Sequence, residues 1–227
     1  KRQENYLDSL QANVFLDVNN SSFKENLLKI AYGYEDLGFF GKSKTMLEKG
    51  LQIAQTHNDT LFNADVYRYL GDLYSSENIS DSAFLFYTKS ENFYQLSKKD
   101  SVNWARVLSY KGSILYKTGI YSESEKEITK ALVILNRIDH TRLSYETNLT
   151  MALTLKDLKE FDNAIYYYEK IPGLIRQLED ENYNPDKIKK AWLLYYNNMA
   201  SLYIDLKDFK ESKRYLERAL ALDYRGE

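Results

Sequence analysis

The chain has 227 residues, 44% of them hydrophobic, enough for a sizeable core in one large or two small domains. Its 33 acidic and 31 basic residues leave a formal net charge of −2, which excludes the basic footprint of a general nucleic-acid or anionic-membrane binder. There is no cysteine, so disulfide and thiol chemistry are excluded, and cytoplasm and periplasm are equally compatible locations.

Two prolines and no long Gly/Ser run describe continuous helix joined by short turns. No apolar run approaches the roughly 20 residues of a membrane span. The first residue is Lys1 and no signal-like apolar segment comes after it, which fits either a removed leader or, the favoured expectation, an excised piece of a longer protein.

In chain order, residues 3–16 place Tyr6, Leu7, Leu10, Val14 and Phe15 at helical spacing and predict either a lone N-terminal helix over the first repeat or the second helix of a partial repeat, ended by Asn19-Asn20-Ser21-Ser22. Residues 1–22 are expected to form an N-terminal cap on the helices beyond them. Then a pattern recurs five times with identical internal offsets: small–x–x–large, a turn, large–x–x–small–x–x–x–large–x–x–small. The first copy carries Ala31, Tyr34, Gly38, Phe40, Ser43, Leu47 and Gly50, and the second Gly71, Tyr74, Asn78, Ser80, Ala83, Tyr87 and Ser90. The third has Gly112, Leu115, Gly119, Tyr121, Ser124, Ile128 and Ala131, and the fourth Ala152, Leu155, Lys159, Phe161, Ala164, Tyr168 and Ile171. The fifth has Ala200, Tyr203, Lys207, Phe209, Ser212, Leu216 and Ala219. The copies step by 40, 41, 40 and 48 residues along the chain. The spacing predicts helices at 24–37, 40–57, 61–76, 80–98, 102–117, 121–137, 142–158, 161–179, 186–205 and 209–223.

Gly38 and Gly119 read as left-handed helix stops, with Asn78, Lys159 and Lys207 in the same role elsewhere. Asn58-Asp59-Thr60, Lys99-Asp100-Ser101 and Asp139-His140-Thr141 offer caps between copies. Pro172 predicts a kink or break. The polar turn from Asp180 to Pro185 is expected to supply most of the extra eight residues, either as a tolerated insertion on the edge or as a hinge or contact loop. In the tyrosine runs, Tyr168 is the core position, and Tyr167 and Tyr196 either point outward or bridge adjacent repeats.

The five registered copies resemble the tetratricopeptide repeat, whose signature puts small residues at positions 8, 20 and 27 and large ones at 11, 17 and 24. The likeness covers roughly residues 24–224, with periods near 40 instead of 34 and without the family's proline near position 32. It implies an all-α, right-handed superhelical solenoid of antiparallel helix hairpins, one domain over residues 23–227 with repeats at about 24–60, 64–100, 105–140, 145–183 and 193–225. It also resembles lengthened bacterial repeat chains that serve as the docking or sensor part of signalling proteins.

No P-loop, dinucleotide fingerprint or zinc-protease motif is present, and two histidines without cysteine make a zinc site implausible. His57 and His140 read as capping or solvated residues. The expectation is a binding module with no enzymatic activity, no cofactor and no metal. The resemblance puts ligand contacts on the first helix of each pair, at repeat positions 2, 5, 9, 12 and 13. Carried over, the binding set is Tyr32, Glu35, Arg68, Asp72, Arg106, Ser109, Ser113, Tyr116, Leu149, Leu153, Lys156, Asn197 and Ser201.

The carboxylate clamp of chaperone-adaptor members is absent: positions 5 and 9 read Leu28/Tyr32, Arg68/Asp72, Ser109/Ser113, Leu149/Leu153 and Asn197/Ser201. Arg68 and Arg106 either hold an anion together or pair with Asp65, Asp72 or Glu123. Leu149, Leu153, Leu194 and Ile204 are either an apolar groove or covered by the longer helices. The expected partner is a protein or peptide segment in the concave face, with no nucleic acid and no membrane contact by this segment. The alternatives are a peptide-sensing regulator whose superhelix changes on binding, and a module that dimerises through the C-terminal helix.

Overall fold

A computed structural model describes residues 2–18, 20, 22–97 and 101–223. The Lys99-Asp100 cap, Asn19 and Ser21 of the first turn, and both chain ends lie outside the described residues. The described residues form eleven helices and no strand: α1 (Arg2–Val14), α2 (Phe23–Asp36), α3 (Phe40–Thr56), α4 (Thr60–Ser76), α5 (Ser80–Ser97), α6 (Ser101–Lys117), α7 (Tyr121–Leu135), α8 (Thr141–Asp157), α9 (Phe161–Asp180), α10 (Pro185–Asp205) and α11 (Phe209–Asp223). Two compact units divide the chain, Lys1–Val107 and Leu108–Glu227.

One turn, built five times, makes the hairpins. After α2, the Gly38 N–H donates to the Glu35 carbonyl and the Phe39 N–H to the Tyr34 carbonyl, both at 2.8 Å. This pair of bonds satisfies carbonyls that the helix end would otherwise strand. Asn78, Gly119, Lys159 and Lys207 repeat it in register, each with positive φ. The sequence pattern names all five. Asn58 and Asn182 adopt the same turn between hairpins, at φ 50° and 55°, and these two escape the pattern. Asp59 caps α4 through the Phe62 N–H and His140 caps α8 through the Leu143 N–H.

Small residues bring the paired helices close. An ideal Cβ added to Gly71 would lie 2.4 Å from the Tyr87 ring, and one on Gly112 would lie 2.4 Å from Ile128 Cγ1. Serines at these contacts also tie backbones together: Ser90 Oγ donates to the Ala64 carbonyl at 2.7 Å and Ser124 Oγ to the Gly112 carbonyl at 2.8 Å.

In the first unit the core runs through Leu27, Ala31, Tyr34, Met46, Leu47, Phe62, Val66 and Leu73. Helix α1 lies against it through Leu7, Leu10 and Val14, while Tyr6 of the predicted stripe is exposed. The buried Tyr34 ring sends its hydroxyl to Asp8 (2.7 Å) and Gln11 (2.8 Å) of α1, and burial pushes that phenol up to about 12. In the second unit the core is built on Ile128, Ala152, Leu155, Tyr168, Ile171, Ile175, Met199 and Leu202.

Three expectations are corrected in the second unit. Pro172 does not break its helix; α9 runs through it for 20 residues. The outward tyrosine of the triple run is Tyr166, 56% exposed under the Lys170 ammonium at 4.1 Å, whereas Tyr167 packs on the core and Tyr196 is half-buried against it. The eight extra residues are helix, not loop. Helix α9 has 20 residues against 15 in α7, and α10 begins eight residues ahead of Leu193, where α8 begins four ahead of Tyr145. The turn between α9 and α10 is four residues long, one shorter than the turn before α8.

Candidate functional site

In the first unit, the ligand-register positions of α4 hold charges that the chain itself satisfies. Arg68, 8% exposed, places Nη1 2.8 Å from Asp72 Oδ2, one helical turn on, and its guanidinium stacks 4.1 Å above the Tyr69 ring. Tyr87 donates its hydroxyl to the other Asp72 oxygen at 2.8 Å. Tyr94 does the same to Asp65 at 2.6 Å, which also receives Asn103 Nδ2 at 3.3 Å. Arg106 donates to the Asn103 amide oxygen and its charge adds to that of Arg68 at Asp72. Burial lowers the Arg68 guanidinium, but Asp72, Tyr94 and Tyr69 together outweigh it and raise it, so the cation stays charged. Burial raises the Asp72 carboxyl, against the pull of Arg68. Arg68 therefore pairs in-chain, and Arg106 is half-buried beside it.

Tyr32 stands exposed on α2. Glu35 accepts a 2.6 Å bond from Ser76 of α4, and burial raises its carboxyl despite that bond.

In the second unit, Ser109 is buried against Thr147 at 2.9 Å, and Ser113 is half-buried. Tyr116 is half-buried 5.8 Å from the Tyr121 ring, its phenol pushed up to about 12 by burial and then by Asp157. Lys156 reaches Ser201 of α10 at 3.0 Å, with carboxylates of Asp157 and Asp205 at 3.9 and 4.0 Å. Asn197 is exposed. The apolar quartet splits: Leu149 is buried and Leu153 packs on the core, while Leu194 (44%) and Ile204 (50%) remain exposed. On α11, Leu216 is 43% exposed although its counterparts Leu47, Tyr87, Ile128 and Tyr168 are buried. With Leu193, Asn197, Ala219 and Leu220 it lines a shallow cavity of about 400 Å³.

Two pairs of ligand-register side chains meet across successive first helices, Glu35 with Ser76 and Lys156 with Ser201, and Arg68 pairs with Asp72 within α4. A feature absent from that set lies where α8, the end of α9 and the start of α10 meet. A cavity of about 290 Å³ is lined by Arg142, Tyr145, Glu146, Leu178, Tyr183, Lys187, Ile188, Lys190, Ala191 and Leu194. Glu146 and Leu194 are ligand-register positions; the others are not. The signal in the sequence was the long 48-residue step together with Lys187, Lys189 and Lys190 just after it. Among the described residues no group of His, Asp and Glu side chains is arranged to hold a metal, and no helix is long and apolar enough to cross a membrane.

Residues 193–225, the α10/α11 hairpin, match the tetratricopeptide repeat family. Over this hairpin the sequence matches the repeat, and over its length the chain has a fold like that of tetratricopeptide-repeat proteins. It is similar to the crystal structure of BtubC (BKLC) from P. vanneervenii, at 16% identity and a TM-score of 0.83, covering 99% of this chain and 92% of that one. It is also similar to a signal transduction ATPase with numerous domains carrying a tetratricopeptide repeat sensor, from Pyrococcus horikoshii: 17% identity, TM-score 0.69, 99% of this chain and 40% of that one. Aspartyl phosphate phosphatase F from Bacillus subtilis is similar at 12% identity and a TM-score of 0.68, with 98% and 68% covered. No curated protein matches by sequence. At these identities the likeness concerns the fold.

Proposed function

We propose that the five repeats of residues 23–227, behind an N-terminal cap over residues 1–22, form a non-enzymatic scaffold that binds a protein or peptide segment along its first helices. Within this reading the module is the docking or sensor part of a larger bacterial regulatory protein. The observation that carries it is the pairing of ligand-register side chains from one first helix to the next, Glu35 with Ser76 and Lys156 with Ser201. Side chains held in place before binding lose little further freedom when a partner arrives. The solved structures of like fold include one described as a repeat sensor within a signalling ATPase, which supports the regulatory part of the reading.

The test is selection from a displayed peptide library on the folded chain, then binding of the enriched sequences to Arg106→Glu and Lys156→Glu. Both variants are checked by circular dichroism. Loss of binding in either, with the fold intact, supports the proposal. No enriched sequence, or enriched sequences indifferent to both changes, overturns it.

Self-association through α11 is a second reading, favoured by the exposure of Leu216 where every other copy buries that position. It requires a sedimentation coefficient that rises with concentration and stops rising in Leu216→Lys.

A further inference from the structure

The cavity between α8, α9 and α10 has a composition that selects a ligand. Its floor is apolar: Leu178, Ile188 and Ala191 are core residues and Tyr145 packs beside them. Its rim is cationic. Arg142, Lys187 and Lys190 stand around it, and the single carboxylate of the lining, Glu146, is already taken by Arg142 Nε at 2.9 Å.

Tyr183 lies under two of the cations, its ring 5.7 Å from both the Arg142 guanidinium and the Lys187 ammonium. That arrangement sets two of the cations against one wall, and Lys187 and Lys190 are both exposed. No carboxylate lies within ion-pairing distance of Lys187 or Lys190 among the described residues; Asp186, one turn before Lys190, does not pair with it. The pocket thus carries an uncompensated positive charge on a chain whose net charge is −2.

The geometry has a traceable origin. Lys187, Ile188, Lys190 and Ala191 all sit on the part of α10 that precedes the repeat pattern, and Leu178 on the lengthened end of α9. Helices as long as α7 and α8 would lack Leu178, Lys187 and Ile188, whereas Lys190 and Ala191 have counterparts in α8 at Arg142 and Leu143. Lys187 and Lys190 are three apart and so share one face of α10. A volume of about 290 Å³ lies at the bottom of the range for whole-ligand pockets, so it suits one or two large side chains of something longer.

We propose that this cavity is a docking pocket for an acidic, amphipathic peptide segment, which seats large apolar side chains on Leu178, Ile188 and Ala191 and sets flanking carboxylates against Lys187 and Lys190. The inference rests on the scaffold reading and names the chemistry of one of its ligands. Contact with the floor removes apolar surface from water, and the rim cations steer and orient the acidic flanks. Binding therefore weakens as salt is added.

The test uses a fluorescein-labelled peptide with a Leu-Phe pair between two aspartates on either side, its anisotropy titrated against the whole chain. Its counterparts carry asparagine in place of every aspartate, or alanine in place of Leu-Phe. Both lysines are exposed, so Lys187→Glu with Lys190→Glu leaves the core intact. The same charge change is placed elsewhere with Lys126→Glu and Lys213→Glu.

The expected result is binding that falls at least about tenfold in the pocket variant and in both altered peptides, and stays within about twofold in the control variant. Absence of binding to the wild-type chain at millimolar peptide overturns the proposal, as does equal loss in pocket and control variants. Displacement by inorganic phosphate at matched ionic strength overturns it too, by assigning the rim to small anions. If library-selected peptides depend on Arg106 or Lys156 but ignore the pocket variant, the pocket falls and the scaffold stands.

Discussion

Gly112 and Gly173 both lie inside helices of the second unit, and replacing each by alanine moves stability in opposite directions. Removing a glycine from a helix interior gains about 0.5–1 kcal/mol of backbone entropy in either case. At Gly173 an added Cβ meets nothing within 4 Å, so the gain stands alone. At Gly112 the added Cβ would lie 2.4 Å from Ile128 Cγ1, 3.2 Å from its Cδ1 and 3.3 Å from the Ser124 carbonyl oxygen. Ile128 is fully buried, and the backbone of Ser124 is tied to α6 by the bond from its own hydroxyl to the Gly112 carbonyl. The helices part only by losing that bond. Overpacking of this kind costs roughly 1–3 kcal/mol, which exceeds the entropy gain. Urea unfolding monitored by far-UV circular dichroism should show Gly173→Ala raising the midpoint and Gly112→Ala lowering it. A double-mutant cycle of Gly112→Ala with Ile128→Ala should return a favourable coupling of about 1 kcal/mol or more. The packing argument is refuted if both glycine variants shift the midpoint the same way, or if the cycle shows no coupling.

Lys159 holds φ at +66° in the turn that Gly119 makes at +79° in the preceding hairpin. A side chain in that region costs about 1–2 kcal/mol, part of which glycine's extra freedom in the unfolded chain returns, so Lys159→Gly should stabilise by about 1 kcal/mol in the same urea assay. Alkali should unfold the protein early. Burial pushes the phenols of Tyr34, Tyr116 and Tyr145 up to about 12 from 10. A group with a raised folded pKa contributes stability that is complete below its unfolded value, here about 10, and lost as pH rises through about 12. For Tyr145 that is on the order of 2–3 kcal/mol, and the urea midpoint should fall steadily from pH 10 upward while the phenolate absorbance of these rings in the folded protein appears only near pH 12.

The hairpin framework was readable because it is encoded locally. A six-residue offset from the last core residue of one helix to the start of the next carries the Schellman turn, and that offset survives even where lysine replaces glycine at 159 and 207. Asn58 and Asn182 were missed because the turns between copies vary in length and offer no fixed offset to align on. Tyr166 and Tyr167 were exchanged because adjacent residues lie about 100° apart on a helix, and which one faces out depends on the neighbour, here α7 or α10, and not on the helix alone. The pairing of Arg68 with Asp72 at four residues' separation was visible in principle. The hydroxyls of Tyr87 and Tyr94 that complete the cluster come from the next helix, and no spacing rule brings them there.

The contrast between the two groups of cations carries the functional argument furthest. Arg68 occupies a ligand position of the repeat, yet it is 8% exposed and paired within its own helix, so little of it is open to an anion. A ligand must compete with Asp72 for it and repay the cost of leaving that carboxylate buried and unpaired. Lys187 and Lys190 occupy no ligand position of the repeat, and their charges are uncommitted. A positive charge in water beside an apolar hollow asks nothing of the protein before it meets a carboxylate. The residues that fit the repeat pattern are largely consumed in packing one helix against the next, as Gly112, Ser124 and Ile128 are. Specific recognition then falls to residues added outside the pattern, and the lengthening of α9 and α10, a net eight residues in the step between copies, is the largest such addition in the chain.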